Sequence, residues 1–309
     1  MGSTKFAALL FALFLSASCG GRKETPAPAR SASSQPPTPA PTLPGLKATL
    51  DHKPLPLRTA LAYSRGGAAL HITLSTHPIT CKDIGGEGTV RLAGETTVDV
   101  TLAPRLLPDG NSDWRVMRAR LGPVTRQGDL GSAKVTAFDP RKPVSGELEL
   151  AVIFPPPEAH TLNLAGRIQA EGCGLRPYSL DAKVRPQKDL RIELAGKAIL
   201  AHGASVTRRR DGDLMLLFTS EPHACAVGAR GSDFAITLQL SATGEAKSAR
   251  VEGYSLPKLV EGKVEGMAVR FDTAGDAGVR VEVAGTTELN GYRLMLDGNA
   301  EAESCDAAK

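Results

Sequence analysis

Leu70-His71-Ile72-Thr73-Leu74-Ser75-Thr76-His77-Pro78-Ile79-Thr80-Cys81 aligns without a gap to Leu214-Met215-Leu216-Leu217-Phe218-Thr219-Ser220-Glu221-Pro222-His223-Ala224-Cys225, at a constant offset of 144 residues. Both read Leu-x-apolar-x-apolar, then two Ser/Thr, then x-Pro-x-x-Cys. The match extends upstream, where Leu46, Lys47, Leu50 and Lys53 meet Leu190, Arg191, Leu194 and Lys197. It returns at the ends. Leu162-Asn163-Leu164-Ala165-Gly166 meets Leu294-Met295-Leu296-Asp297-Gly298, and Ala170-Glu171-Gly172-Cys173 meets Ala302-Glu303-Ser304-Cys305. The middles align only loosely. Self-similarity this long marks a duplication. Its period is that of a domain, about 125 residues, and not that of a solenoid repeat. The reading is β domain 1 at 46–174, a linker at 175–188 carrying Pro177 and Pro186, and β domain 2 at 189–309.

Period-two alternation is clear in Leu70-His71-Ile72-Thr73-Leu74, Val98-Asp99-Val100-Thr101-Leu102, Glu147-Leu148-Glu149-Leu150 and Val279-Arg280-Val281-Glu282-Val283. That period is the signature of strands. Turn clusters such as Pro108-Asp109-Gly110-Asn111 and Asp211-Gly212 separate the runs. The expectation is all-β: two tandem duplicated antiparallel domains, sandwich-like or barrel-like, each closed by one disulfide. Alternation with polar residues predicts sheets buried on one side only. With 32 Gly and 22 Pro, the composition argues against helical bundles and coiled coils.

Five cysteines are present. Setting Cys19 aside leaves two per repeat at equivalent positions. Of the three pairings that four cysteines allow, the duplication selects Cys81–Cys173 and Cys225–Cys305. A zinc site is disfavoured, because zinc wants four ligands and no His recurs at matching places. No metal or other cofactor is expected.

The N-terminus has Lys5, the apolar run Phe6–Leu15, then Ser16-Ala17-Ser18-Cys19. The run is too short to span a bilayer, which needs about 20 apolar residues, and has the layout of a signal peptide covering 1–18. A Cys placed directly after small residues resembles the bacterial lipoprotein precursors. The resemblance covers about the first twenty residues. It implies cleavage before Cys19, a diacylglyceryl group on its thiol and an acyl chain on its new amino group. Gly20, where Asp would retain a lipoprotein at the inner membrane, implies the outer membrane. The lipoprotein family usually has Leu, Val or Ile where Ser16 stands, and the small residues of Ser16-x-Ser18 also suit the ordinary signal peptidase, which would leave Cys19 a free thiol. Residues 19–45 alternate Pro with Ala, Ser and Thr and read as a disordered tether.

The search for chemistry returns no Gly-x-Ser-x-Gly, His-Glu-x-x-His, phosphate loop or Cys-x-x-Cys, so no catalytic residue is assigned. His77 and His223 flank the Pro-x-x-Cys turns but lie out of register, and read as solvated loop histidines. Asp109-Gly110-Asn111-Ser112-Asp113 has the spacing of a cation loop but lacks its Gly and closing Glu, so a hairpin turn is preferred. Arg208-Arg209-Arg210 is the densest basic run; a solvated turn balanced by Asp211 and Asp213 is preferred over contact with lipid phosphates. A net charge of +4 and 4% aromatic residues disfavour nucleic-acid and carbohydrate binding. The expected function is a non-catalytic cell-envelope binding or scaffolding module. It would meet the membrane through lipidated Cys19 and an envelope protein through its surface. Two alternatives stand: a carrier of a small or lipidic ligand, which needs an apolar cavity, and a hydrolase, which needs His77 or His223 beside a carboxylate and a hydroxyl.

Overall fold

The computed structural model describes residues 42–85, 88–89, 95–136, 139, 141–156, 159–178, 186–274 and 278–305. The signal segment, Cys19, the tether up to residue 41 and part of the 175–188 linker lie outside them. The alternating runs are strands. The first repeat comprises β1 (Leu46–Leu50), β2 (Thr59–Ser64), β3 (Leu70–Ser75), β4 (Thr97–Leu106), β5 (Ser112–Leu121), β6 (Val124–Val135), β7 (Val144–Ile153) and β8 (Thr161–Leu175). The second comprises β9 (Leu190–Leu194), β10 (Gly203–Arg208), β11 (Leu214–Thr219), β12 (Phe234–Leu240), β13 (Ala246–Gly253), β14 (Val260–Lys263), β15 (Met267–Ala274), β16 (Gly278–Leu289) and β17 (Tyr292–Cys305). Each repeat forms its own sheet, and both belong to one compact unit, Ala40–Lys309.

The duplication holds to the residue. Leu46 pairs Gly166 as Leu190 pairs Gly298. Thr59 pairs Ser75 as Gly203 pairs Thr219, and Leu70 pairs Leu102 as Leu214 pairs Leu240. A bulge at Thr101/Leu102 recurs at Gln239/Leu240. Pairing is antiparallel except once per sheet: Leu61 meets Glu171, and Ser205 meets Glu303, in parallel. The last strand of each repeat offers one edge to two short strands laid end to end, so one of them must run alongside it. Gly166 and Gly298 sit where that edge is most crowded. Each has positive φ, and a Cβ there would lie about 2 Å from the carbonyl of Gly45 or Asp189. Those carbonyls accept Arg167 N and Asn299 N.

In the first repeat β7 pairs both β6 and β8, and the sheet closes into a ring. The ring is filled by Ile72, Leu74, Val98, Val100, Leu148, Leu150, Leu162, Leu164 and their neighbours. In the second repeat the counterpart of β6 is broken into β14 and β15, which pair different neighbours, so the sheet stays open as a half-barrel. The first repeat supplies what the opening lacks. Strand β4 runs four residues past Leu102, and four residues of strand reach about 13 Å. Its end, Leu106, is buried in the second repeat's core with Phe234, Val251, Leu256 and Tyr292. Ser255 O accepts Leu106 N at 2.7 Å, and Tyr292 donates its hydroxyl to Leu106 O at 3.1 Å. The Asp109-Gly110-Asn111 turn is therefore a docking hairpin, with Gly110 packed on the Ala195 carbonyl.

The cysteines pair as the duplication selects: Cys81–Cys173 with Cα atoms 5.2 Å apart, Cys225–Cys305 with Cα atoms 5.8 Å apart. The expectation of sheets buried on one side fails for β2 and β3, which are buried almost throughout on both faces. On the outward face His71 lies against Asp233 and Tyr254 of the second repeat, while Leu61 and Tyr63 pack on Ile79, Ile84 and the Cys81–Cys173 bridge of their own repeat.

Replacing Leu106 by Ala is expected to cost about 2–5 kcal/mol, the usual range for a buried leucine. Hydrogen exchange should localise the loosening to β10–β13 of the second repeat and not to the ring that carries the residue. Equal loosening of both repeats would contradict the plug.

Candidate functional site

On one patch of the ring the outward positions of β2, β3, β4 and β5 fall into cross-strand rows. Tyr63 pairs His71, His71 pairs Thr101, and Thr101 pairs Arg118. The neighbouring row is Leu61, Thr73, Asp99 and Arg120. Residues opposite one another across strands are in side-chain contact, so strand register alone assembles this polar patch. The second repeat has Thr207, Met215, Gln239 and Ser248 where the first row stands. The patch exists in one copy only.

The second repeat covers it. Asp233, just ahead of β12, brings Oδ2 to 2.7 Å from His71 Nε2, with both side chains buried. His71 Nδ1 lies 3.2 Å from Thr101 Oγ1. With the neutral ring protonated on Nε2, the ring donates to Asp233 and Thr101 donates to Nδ1; a protonated ring donates at both ends. Tyr63 stacks on the imidazole at 5.1 Å and Tyr254 meets it edge-on at 6.3 Å. Arg118 donates from Nη1 to the Tyr254 hydroxyl at 3.0 Å. Arg65, 3% exposed, donates to Arg176 O and lies 3.9 Å over the Tyr178 ring.

Glu221 is fully buried in the same seam. Tyr178 N donates to its Oε2 at 3.1 Å, and Oε1 has no partner among the described residues. Burial disfavours the carboxylate and pushes the pKa up to about 7.

Hydroxyl, imidazole and carboxylate in series are the parts of an acyl-transfer triad. Here Thr101 is 4% exposed, and the cavity beside it is about 90 Å³. Sites for whole small molecules start at about 300 Å³. The geometry suits a clasp between the repeats.

Of the residues singled out in the sequence, His77 has Thr76 Oγ1 at 3.1 Å and Glu95 Oε1 at 3.6 Å, both on Nδ1. A hydroxyl and a carboxylate on the same nitrogen cannot relay a proton through the ring. His223 pairs Glu303 at 2.7 Å at the surface. Arg208, Arg209 and Arg210 are exposed at a hairpin. Asp211 lies 3.8 Å from Arg209, whereas Asp213 is taken by Lys247 at 2.7 Å. Asp113 pairs Arg105, and no cluster able to hold a metal ion occurs among the described residues.

Neither the family models, nor the curated proteins, nor the solved structures compared with this chain include a match.

Two tests follow from the seam. Asp233→Ala strands a buried imidazole and is expected to cost about 3–5 kcal/mol. Adding His71→Ala should then cost less than it does alone, by 0.5–3 kcal/mol of coupling; additive losses in urea titrations would mean the pair is not coupled. Glu221 has a folded pKa above its unfolded value. Its contribution is therefore most favourable below the ordinary carboxylate range and is lost as pH rises through about 7. Glu221→Gln should match the native chain in urea midpoint at pH 5 and exceed it at pH 8.

Proposed function

We propose that this protein is a non-catalytic lipoprotein of the cell envelope, anchored through acylated Cys19, that works as a rigid binding or scaffolding module. The observation that supports a module over a carrier is the filled ring: its inward side chains pack on one another as one apolar cluster of buried residues. The apolar cavity at the seam, lined by Pro104, Leu106, Ile199, Phe234, Val251 and Leu256, measures about 240 Å³. That is below the usual size of a ligand site. A wider open groove of about 890 Å³ lies between Pro186–Asp189 and the face of β16 and β17. Its lining mixes Gln187, Lys188, Asp189, Arg280, Asn299 and Glu301 with Pro186, Val279 and Ala300, an open mixed surface and not an enclosed apolar cavity.

The anchoring reading rests on the Ser16-Ala17-Ser18-Cys19 run. No helix among the described residues is long and apolar enough to cross a membrane. Two disulfides accord with an oxidising compartment outside the cytoplasm. A single acyl chain holds a protein only marginally and stable attachment takes more than one, which triple acylation of one cysteine would supply.

Fractionation of cells carrying Cys19→Ala tests the anchor: the native chain is expected in the membrane fraction and the variant in the soluble extract. A variant that still sediments with membranes would sink the lipid anchor. Organic extraction of the purified native protein tests the module, which should release no stoichiometric lipid, since the acyl groups on Cys19 are covalent and stay with the chain. A bound lipid at one per chain would replace it by the carrier.

A further inference from the structure

The cavity of about 90 Å³ on the polar patch has a charge imbalance that the clasp does not use. Its lining includes three guanidiniums, Arg65, Arg118 and Arg120, and one carboxylate, Asp99. Asp99 accepts the Thr73 hydroxyl at 2.6 Å and stands opposite Arg120 in the strand register. Arg65 and Arg118 form no ion pair among the described residues. Arg65 donates to a main-chain carbonyl, lies beside Tyr63 and lays its face on Tyr178. Arg118 donates to a tyrosine hydroxyl, and its buried Nε has no partner. Buried charges are costly unless paired, and Arg65 is nearly inaccessible. Nearby Asp233 is already engaged by His71.

We propose that this cavity is a binding site for a compact phosphate-type oxyanion. Among the lining residues three guanidiniums outnumber one carboxylate, an excess of the sign that a phosphate, which carries about −1.5 to −2 at neutral pH, neutralises. The space equals about three waters at 30 Å³ each, enough for one tetrahedral oxyanion. Planar guanidiniums present paired donors that fit phosphate oxygens, and they hold their charge at any accessible pH. Arg118 and Arg120 stand on a strand of the closed ring, and Arg65 is clamped by stacking, so the donors are held in place before the anion arrives. This site is independent of the membrane anchor and of any protein partner. The shared chemistry is the phosphate group, whether free or at the end of a larger molecule.

The test is calorimetric titration of the purified full chain with inorganic phosphate at constant ionic strength, with chloride as control. Saturable binding of one phosphate per chain, with no response to chloride, is expected. Arg118→Gln should weaken it at least tenfold, and Arg118→Lys should keep part of it. Arg65→Gln is the harsher variant, and Arg118 keeps the test valid should it fail to fold. Phosphorus-31 spectra of material released from the protein on denaturation tell the sources apart: inorganic phosphate or a phosphomonoester each supports the site. Heats that follow ionic strength alone, or an Arg118→Gln protein that binds phosphate as the native chain does, would overturn it.

Discussion

The contact between His71 and Asp233 is the constraint on which the arrangement of the two repeats depends. An imidazole and a carboxylate removed from water are tolerated only when each satisfies the other. Separating or sliding the repeats by even a few ångströms would leave both groups desolvated and unpaired. The bond therefore acts less as a source of net stability than as a selector of one relative placement, since buried ionic pairs often break even against apolar packing. Around it the seam is assembled from groups with the same requirement. Arg118 needs Tyr254, Glu221 needs the Tyr178 amide, and Leu106 needs the open side of the second repeat.

The two copies have diverged in a way that makes them complementary. The first closes its sheet and lengthens β4 and β5; the second splits one strand, shortens the matching hairpin and stays open. A closed ring has no unpaired edge to protect, while an open sheet exposes apolar interior and must be covered. The lengthened hairpin of one copy covers the opening of the other. The polar row follows the same division. His71 faces the seam in the first repeat, and its counterpart Met215 does not share that task.

The duplication, the strands and the cysteine pairing were legible because each is written locally or written twice. Leu70–Cys81 against Leu214–Cys225 needs no knowledge of the third dimension. The seam was not legible, for two physical reasons. His71 and Asp233 are 162 residues apart, and nothing in either neighbourhood names the other. A site common to both copies shows in the alignment of the repeats, whereas this one exists only because the copies differ. A signal was present in retrospect: Tyr63, His71, Thr101 and Arg118 are the polar positions of four successive strands, and strand register places them side by side. The break between β14 and β15 carried no comparable mark, since Gly128 interrupts β6 without opening the ring.

The insertion of Leu106 into the other repeat gives the chain a direction. Polypeptides emerge from synthesis N-terminal end first, and domains generally fold as units in that order. In that order the ring and its long hairpin emerge before β9 to β17, so the later half meets a template that presents its missing side chain. A chain with the two halves in the reverse order would leave the half-barrel waiting, uncovered, for its plug.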